Sequence, residues 1–489
     1  MGKINTYLFL LVSCILLAGC GHSGNVTVSE ELPPVYPDYT NVSIPYNIAP
    51  LNFLLRNKPG VVEIKLKGKT KELLIRDSYK VQFAQDTWKS LMEAEKGNTI
   101  KVQITAKVGG EWIQYAPFHW HVVSEAIDPY LSYRLIEPGY EVWNKIQLRE
   151  RNLENFNERV IADNNLTDNS CMNCHTYGNQ DPNLSFFHLR GATGGTILNR
   201  NGQLRKLTTK ANELLASLVY GNFHPSGRYG VFSSNIILPA FHTYKSERLE
   251  VYDTESELYV LDFDKNRIIP LPEDTIPEKP FRTFPVFSAN GTSVYYCEAP
   301  RVSLPDSIHQ LMYSLHRIDF DAASCTFGSR VDTLFSASEE GKSICHLKTS
   351  PDGKYIMYTI ADYGTFPIWH RETDLQMIDL NTGEINELQA VNATCSDTYH
   401  SWSSDSRWFV FASKRDDGLY GKPYFSYIDE QGVAHKPFVL PQRDPAFYDY
   451  TLKSFNIPEL SKGKLPFDAL DIERMYWHTE ADTMRLMTH

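Results

Sequence analysis

Alternation of apolar and polar residues, rather than helical spacing, dominates this chain. Val61-Val62-Glu63-Ile64-Lys65-Leu66-Lys67 and Lys101-Val102-Gln103-Ile104-Thr105-Ala106-Lys107-Val108 switch with period two, the pattern of a strand buried on one face. Glu257-Leu258-Tyr259-Val260-Leu261-Asp262-Phe263 and Asp374-Leu375-Gln376-Met377-Ile378-Asp379-Leu380 are further strand candidates, the second running into an Asn381-Thr382-Gly383-Glu384 turn. Helical spacing occurs twice. It predicts a short helix over 86–96, and Val142, Ile146, Leu153 and Phe156 predict an amphipathic helix over 140–156, ended by Asp163-Asn164-Asn165.

The C-terminal part repeats one hairpin four times: around His224-Pro225-Ser226-Gly227, Ser288-Ala289-Asn290-Gly291, Ser350-Pro351-Asp352-Gly353 and Ser403-Ser404-Asp405-Ser406. Each copy ends one strand, makes a tight turn and opens an alternating apolar run such as Tyr355-Met357. Recurrence at about 50 to 65 residues matches one four-stranded blade plus loops, so the pattern favours a β-propeller over an open sandwich. The repeat resembles that of TolB-like propellers over roughly 190–455, with Ser406 standing where glycine is usual. Five or six blades are expected.

The predicted organisation is mainly β: an immunoglobulin-like sandwich over 42–125, a linker with the helix over 126–190, and the propeller with a C-terminal extension over 191–489. Ahead of these, Lys3, an apolar core at 7–17 and Leu17-Ala18-Gly19-Cys20 resemble a bacterial lipoprotein signal over 1–19. The resemblance implies acylation of Cys20. The core is too short to span a bilayer, and residues 20–41, rich in Gly, Ser, Pro and acidic residues, read as a flexible tether. The expected location is the bacterial cell envelope, periplasmic or outer-membrane associated, with the lipid as membrane contact.

Cys171-Met172-Asn173-Cys174-His175 is the chemically richest stretch, because C-x-x-C-H is the attachment signature of a c-type haem. The two thiols are spaced for thioether bonds to one porphyrin, with His175 as iron ligand. A local disulfide, a thioredoxin-type pair or half a zinc site would use the same C-x-x-C; the following His favours haem c, one per chain. No Met follows Met172 before Met312, so the sixth ligand must come from elsewhere or be missing. His188 is the candidate, thirteen residues past His175, and Arg190 is the candidate partner of a haem propionate. His119 and His121, two apart on a strand, would share one face and are alternatives. His346 and His400, with Asp397 nearby, precede their turns and are placed at the propeller channel. Cys297, Cys325, Cys345 and Cys395 allow up to two disulfides, with no pairing assigned.

The net charge of −11, without a basic stripe, argues against a nucleic-acid partner. No G-x-S-x-G elbow, H-E-x-x-H pair or Gly-rich phosphate loop is present. The leading reading is a membrane-tethered mono-haem protein for electron transfer or redox sensing, with the propeller as scaffold or docking surface for a protein partner. The whole chain resembles lipoproteins that join a C-x-x-C-H segment to a TolB-like propeller, which implies a cytochrome-like protein with no established substrate. Two other readings stay open: a non-haem propeller gripping a protein or glycan, with a structural C-x-x-C, and a peroxidase-type haem enzyme.

Overall fold

The four repeated turns fold alike. The amides of Gly227, Gly291, Gly353 and Ser406 donate to the carbonyls of His224, Ser288, Ser350 and Ser403 at 2.8, 2.9, 2.9 and 3.0 Å. The donating residue is left-handed each time, with φ of 69°, 74° and 74° at the glycines and 61° at Ser406, a conformation nearly free of cost only for glycine. Ser406 is held there partly by its hydroxyl, which accepts the Asp352 amide at 3.0 Å.

The computed structural model describes residues 26–137, 145–212, 214–241, 249–272 and 278–487. Six four-stranded blades account for most of it. From the channel outward, blade 1 is Met172–Gly178, Asp181–Leu189, Gly195–Arg200 and Gln203–Thr208. Blades 2, 3, 4 and 5 begin with Leu218–Phe223, Phe281–Phe287, Ser343–Thr349 and Asp397–Trp402. Blade 6 is composite: Ser454–Ser461 is innermost and pairs antiparallel with Tyr130–Ile136, which leads outward to Ile146–Asn152 and Glu158–Asp163. Ser454–Ser461 also contacts the innermost strands of blades 5 and 1, which closes the ring.

The stretch 126–190 is therefore no helical linker. Ile146–Asn152 is a strand buried on both faces, and its apolar residues satisfy a sheet covered on both sides as well as a helix; 138–144 lie outside the described residues. The propeller takes its first strand at Tyr130, and the cysteine motif belongs to it.

Residues 26–125 form a two-sheet unit. Its seven-stranded sheet runs through Thr99–Val108, and its small sheet combines Val35–Tyr36, Phe53–Leu55 and Lys80–Val81. The expected short helix is Gln85–Ala94, which buries Trp88, Leu91 and Met92. The segment 26–41 is not a flexible tether: β-branched Val26–Val28 adds a parallel strand beside Glu111–Gln114, and Tyr39 is fully buried, its carbonyl accepting the Trp120 indole N–H at 2.8 Å. Cys20 and the rest of the signal lie outside the described residues. One hydrophobic cluster runs from this unit into blade 5, joining Tyr39 and Trp120 to Trp408 and Phe438. After blade 6, Ala469–His478 forms a helix, and Asp482–Thr483 and Arg485–Leu486 extend the outer edges of blades 1 and 2.

Candidate functional site

Each innermost strand carries a register shift with a left-handed residue: Cys174, Tyr220, Phe284, His346, Tyr399 and Ile457, with φ between 47° and 57°. Such a bulge inserts one residue and re-aims the side chains around it. In a straight strand Cys171 and Cys174, three apart, would face opposite ways; the bulge at Cys174 lifts that constraint. These six residues line the channel as one layer, followed by a layer containing His175 and His400 and a third containing Thr176, Asn222, Lys348 and Glu459.

The layers enclose a cavity of about 70 Å³. Its wall is largely aromatic: the rings of Tyr220 and Phe284 lie 4.3 Å apart, and His346 lies 4.3 Å from Tyr399 and 4.8 Å from Phe284. Lys348 and Glu459 form an ion pair in the third layer, and Ser401 donates to Glu459 at 2.9 Å. Three imidazoles line this space: Nε2 of His346 and Nδ1 of His400 have no hydrogen-bond partner, and His175 has only the main chains of Ser132 and Ile457 beside it. His346 Nδ1 lies 3.3 Å from Thr359 Oγ1 and 3.5 Å from Cys345 Sγ, and His400 Nε2 lies 2.9 Å from the Met357 carbonyl. Burial pushes His175 and His400 down to about 3 and His346 well below the usual histidine range. They are neutral nitrogen donors across the physiological range.

The motif itself is split by the fold. Cys174 is buried and lines the channel, whereas Cys171 is half-buried at the head of the strand, its carbonyl accepting the Arg190 amide at 2.9 Å. Burial raises the Cys174 thiol, opposed by the Tyr220 amide and the charges of Arg134 and Arg190. Neither thiol is in a disulfide, and Cys297, Cys325, Cys345 and Cys395 are also free.

His188 is brought near the motif but not into its cavity. It sits on the second strand of blade 1, opposite Asn173, with Nδ1 2.8 Å from Thr196 Oγ1. It lines, with Arg190, a separate cavity of about 230 Å³ that shares Tyr220 with the first. Burial, with Arg190 nearby, pushes it down to about 3. His119 and His121 lie on the outer face of the N-terminal sheet, flanking buried Trp120, and line neither cavity. Asp397 is buried outside the channel cavity, paired with Arg415 at 3.1 Å. Among the described residues no three or more His, Cys, Asp or Glu side chains are arranged to hold a metal ion.

Tyr220, Phe284 and Tyr399, the aromatic wall, escape a reading by residue chemistry. A positional signal exists: each stands four residues before the opening residue of its repeated turn, as Cys174 stands four before Gly178.

No protein-family model and no curated protein matches the chain. Solved structures similar to it include the β-propeller domain of the trilobed protease from Pyrococcus furiosus (11% identity, TM-score 0.31, 68% of this chain and 79% of that one). Prolyl oligopeptidase B from Galerina marginata is 11% identical with a TM-score of 0.35, over 62% of this chain. Hydrazine synthase from Kuenenia stuttgartiensis is 11% identical with a TM-score of 0.38, over 66% of this chain. The match spans 42% of the oligopeptidase and 48% of the synthase. At such identities the likeness concerns fold alone.

Proposed function

We propose that this chain is an exported, lipid-tethered propeller that carries one c-type haem on blade 1. The observation that supports the reading is His175: an imidazole 7% exposed and neutral, with no side-chain partner and only the main chains of Ser132 and Ile457 beside it, directly after two thiols in no disulfide. In donor chemistry the residues fit the group: Cys171 and Cys174 would hold it covalently and His175 would supply a nitrogen ligand. Room is the demanding part, since a cavity of about 70 Å³ is well below the roughly 300 Å³ of a small-molecule pocket. Cys171 lies outside that cavity, packed against the cluster that contains Ile146 and Tyr476, so the channel as it stands does not present both thiols to one space. When bound, the group supplies one-electron chemistry. The chain's own residues exclude water through the aromatic layer and keep His175 unprotonated.

The test is a pyridine haemochrome spectrum and acid–acetone extraction of protein exported with a c-type maturation system. Haem that survives extraction is expected, and it should disappear in Cys171→Ala/Cys174→Ala. Its absence from the unmutated protein would falsify the reading. The tether rests on Leu17-Ala18-Gly19-Cys20: Cys20→Ala should move the protein from the membrane fraction to the soluble one. No helix among the described residues is long and apolar enough to cross a membrane.

A further inference from the structure

Between blades 1 and 2, the cavity of about 230 Å³ has none of Cys171, Cys174 or His175 in its walls. Leu189, Leu218 and Ile237 form its apolar side. Two polar side chains enter it from opposite directions, His188 from blade 1 and Asn235 from the long hairpin of blade 2, at 6% and 7% exposure. Each is fixed by its other end: His188 Nδ1 lies 2.8 Å from Thr196 Oγ1, and the Asn235 amide donates from Nδ2 to Thr283 Oγ1 at 3.1 Å and interacts with the buried Asp253 carboxyl. That leaves His188 Nε2 and Asn235 Oδ1 buried without a partner, an arrangement native proteins rarely keep unless something completes it.

Among the described residues the charged side chains that line this space are Arg190 and Lys210, and the buried Asp253 carboxyl lies behind Asn235, held up at about 7 by burial. Lys210 Nζ is positioned by the Gly191 and Ala192 carbonyls at 3.2 and 2.6 Å. The Arg190 guanidinium is exposed and sits close enough to lower the His188 imidazole. A guanidinium matches the planar fork of a carboxylate.

We infer that this cavity binds a small hydroxylated carboxylate. Arg190 and Lys210 take the carboxylate, Asn235 Oδ1 accepts the hydroxyl hydrogen, and His188 Nε2 donates when the Thr196 hydroxyl donates to its Nδ1. The leucine side excludes water from the carbon skeleton.

Titration calorimetry of malate and succinate against the full chain tests this, in haem-loaded protein and in Cys171→Ala/Cys174→Ala. Saturable one-to-one binding of malate is expected in both, at least tenfold weaker in Arg190→Gln. That variant should keep its unfolding temperature, because Arg190 is exposed. Asn235→Ala should erase the preference for malate over succinate. No saturable binding at millimolar malate, unchanged binding in Arg190→Gln, or equal affinity for the two anions in the unmutated protein would each overturn the inference. Binding confined to Cys171→Ala/Cys174→Ala would assign the cavity to the haem edge and overturn it too. Failure to find covalent haem sinks only the haem reading and leaves this one standing.

Discussion

Blades 1 and 4 lie three blades apart in a ring of six, on opposite sides of the channel, and each carries an adjacent Cys-His pair on its innermost strand. In blade 1 the left-handed bulge falls on Cys174, with His175 next; in blade 4 it falls on His346, with Cys345 before it. That shift of one residue changes what each pair can do. Cys174 lines the channel, whereas Cys345 turns into the packed layer between blades with Ile344 and Cys297, where burial drives its thiol far up. His346 is anchored at Nδ1 by the Thr359 hydroxyl and the Cys345 thiol, whereas His175 has no side-chain partner and only the Ser132 and Ile457 main chains beside it. The same two residue types thus put a thiol on the channel with an imidazole behind it in one blade, and an imidazole on the channel with a packed thiol behind it in the other. Placement of the bulge, more than composition, sets the chemistry.

The sharpest way to break the comparison is to remove one thiol from each blade. Cys174→Ala should abolish double thioether attachment, while Cys345→Ala should keep the full complement of covalent haem, read by haem stain after denaturing electrophoresis. Equal loss in both variants would show that the two blades are not chemically distinct.

A second effect separates the channel histidines from His370, which lies on loop 362–373 of blade 4. The Glu250 carboxylate, from the blade 2 hairpin, is 2.9 Å from His370 Nε2 and Glu372 is 3.3 Å from Nδ1. Burial lowers this imidazole, but the two carboxylates outweigh it and leave it pushed up to about 9. A raised value stabilises the fold fully below the free value of about 6.5 and is lost as pH rises through 9. His175 and His400, lowered to about 3, do the reverse: their contribution is full above 6.5 and is lost as pH falls toward 3. In haem-free protein each lowered imidazole should cost about 1.4 kcal/mol per pH unit below 6.5. His400→Gln should flatten the acid limb of the unfolding-temperature profile, and His370→Gln the alkaline limb. A profile unchanged by either would mean these imidazoles titrate normally.

Legibility in the sequence follows the turns. Blades 2 to 5 announce themselves because each uses the same four-residue turn ending left-handed. Blade 1 turns instead through Asn179-Gln180, both left-handed at 52° and 54°, which carries no glycine signal, and the strand pattern of the motif is hidden by its cysteines. Blade 6 is assembled from strands more than 300 residues apart, Tyr130 pairing with Ser461, so no local repeat can show it. That is why Ile146–Asn152 reads as helix from its spacing alone: tertiary burial on both faces decides the conformation. Cys171, Cys174 and His175 are recognisable from spacing, and His346 and His400 from their place before a turn. Tyr220, Phe284 and the pairing of His188 with Asn235 are not, because they depend on which strands the ring brings side by side.

The smallest expected effect tests whether the repeated turns are energetically alike. Gly291 and Gly353 both have φ of 74° and occupy equivalent positions, yet a Cβ meets different neighbours at each. At Gly353 it lies 3.3 Å from the Ala289 methyl, so Gly353→Ala should cost mainly the left-handed backbone, about 1 kcal/mol. At Gly291 it lands on the His224 ring. That ring is locked by Nδ1 2.8 Å from Ser226 Oγ and Nε2 3.1 Å from the Gly291 carbonyl, and it packs edge-on against Phe287 at 5.0 Å. It cannot turn away without breaking these contacts, so Gly291→Ala should cost about 3 kcal/mol, backbone and overpacking together. Urea unfolding of the two variants in parallel measures the difference. Equal losses would mean that the junction between blades 2 and 3 yields as easily as that between blades 3 and 4, and that His224 does not lock it.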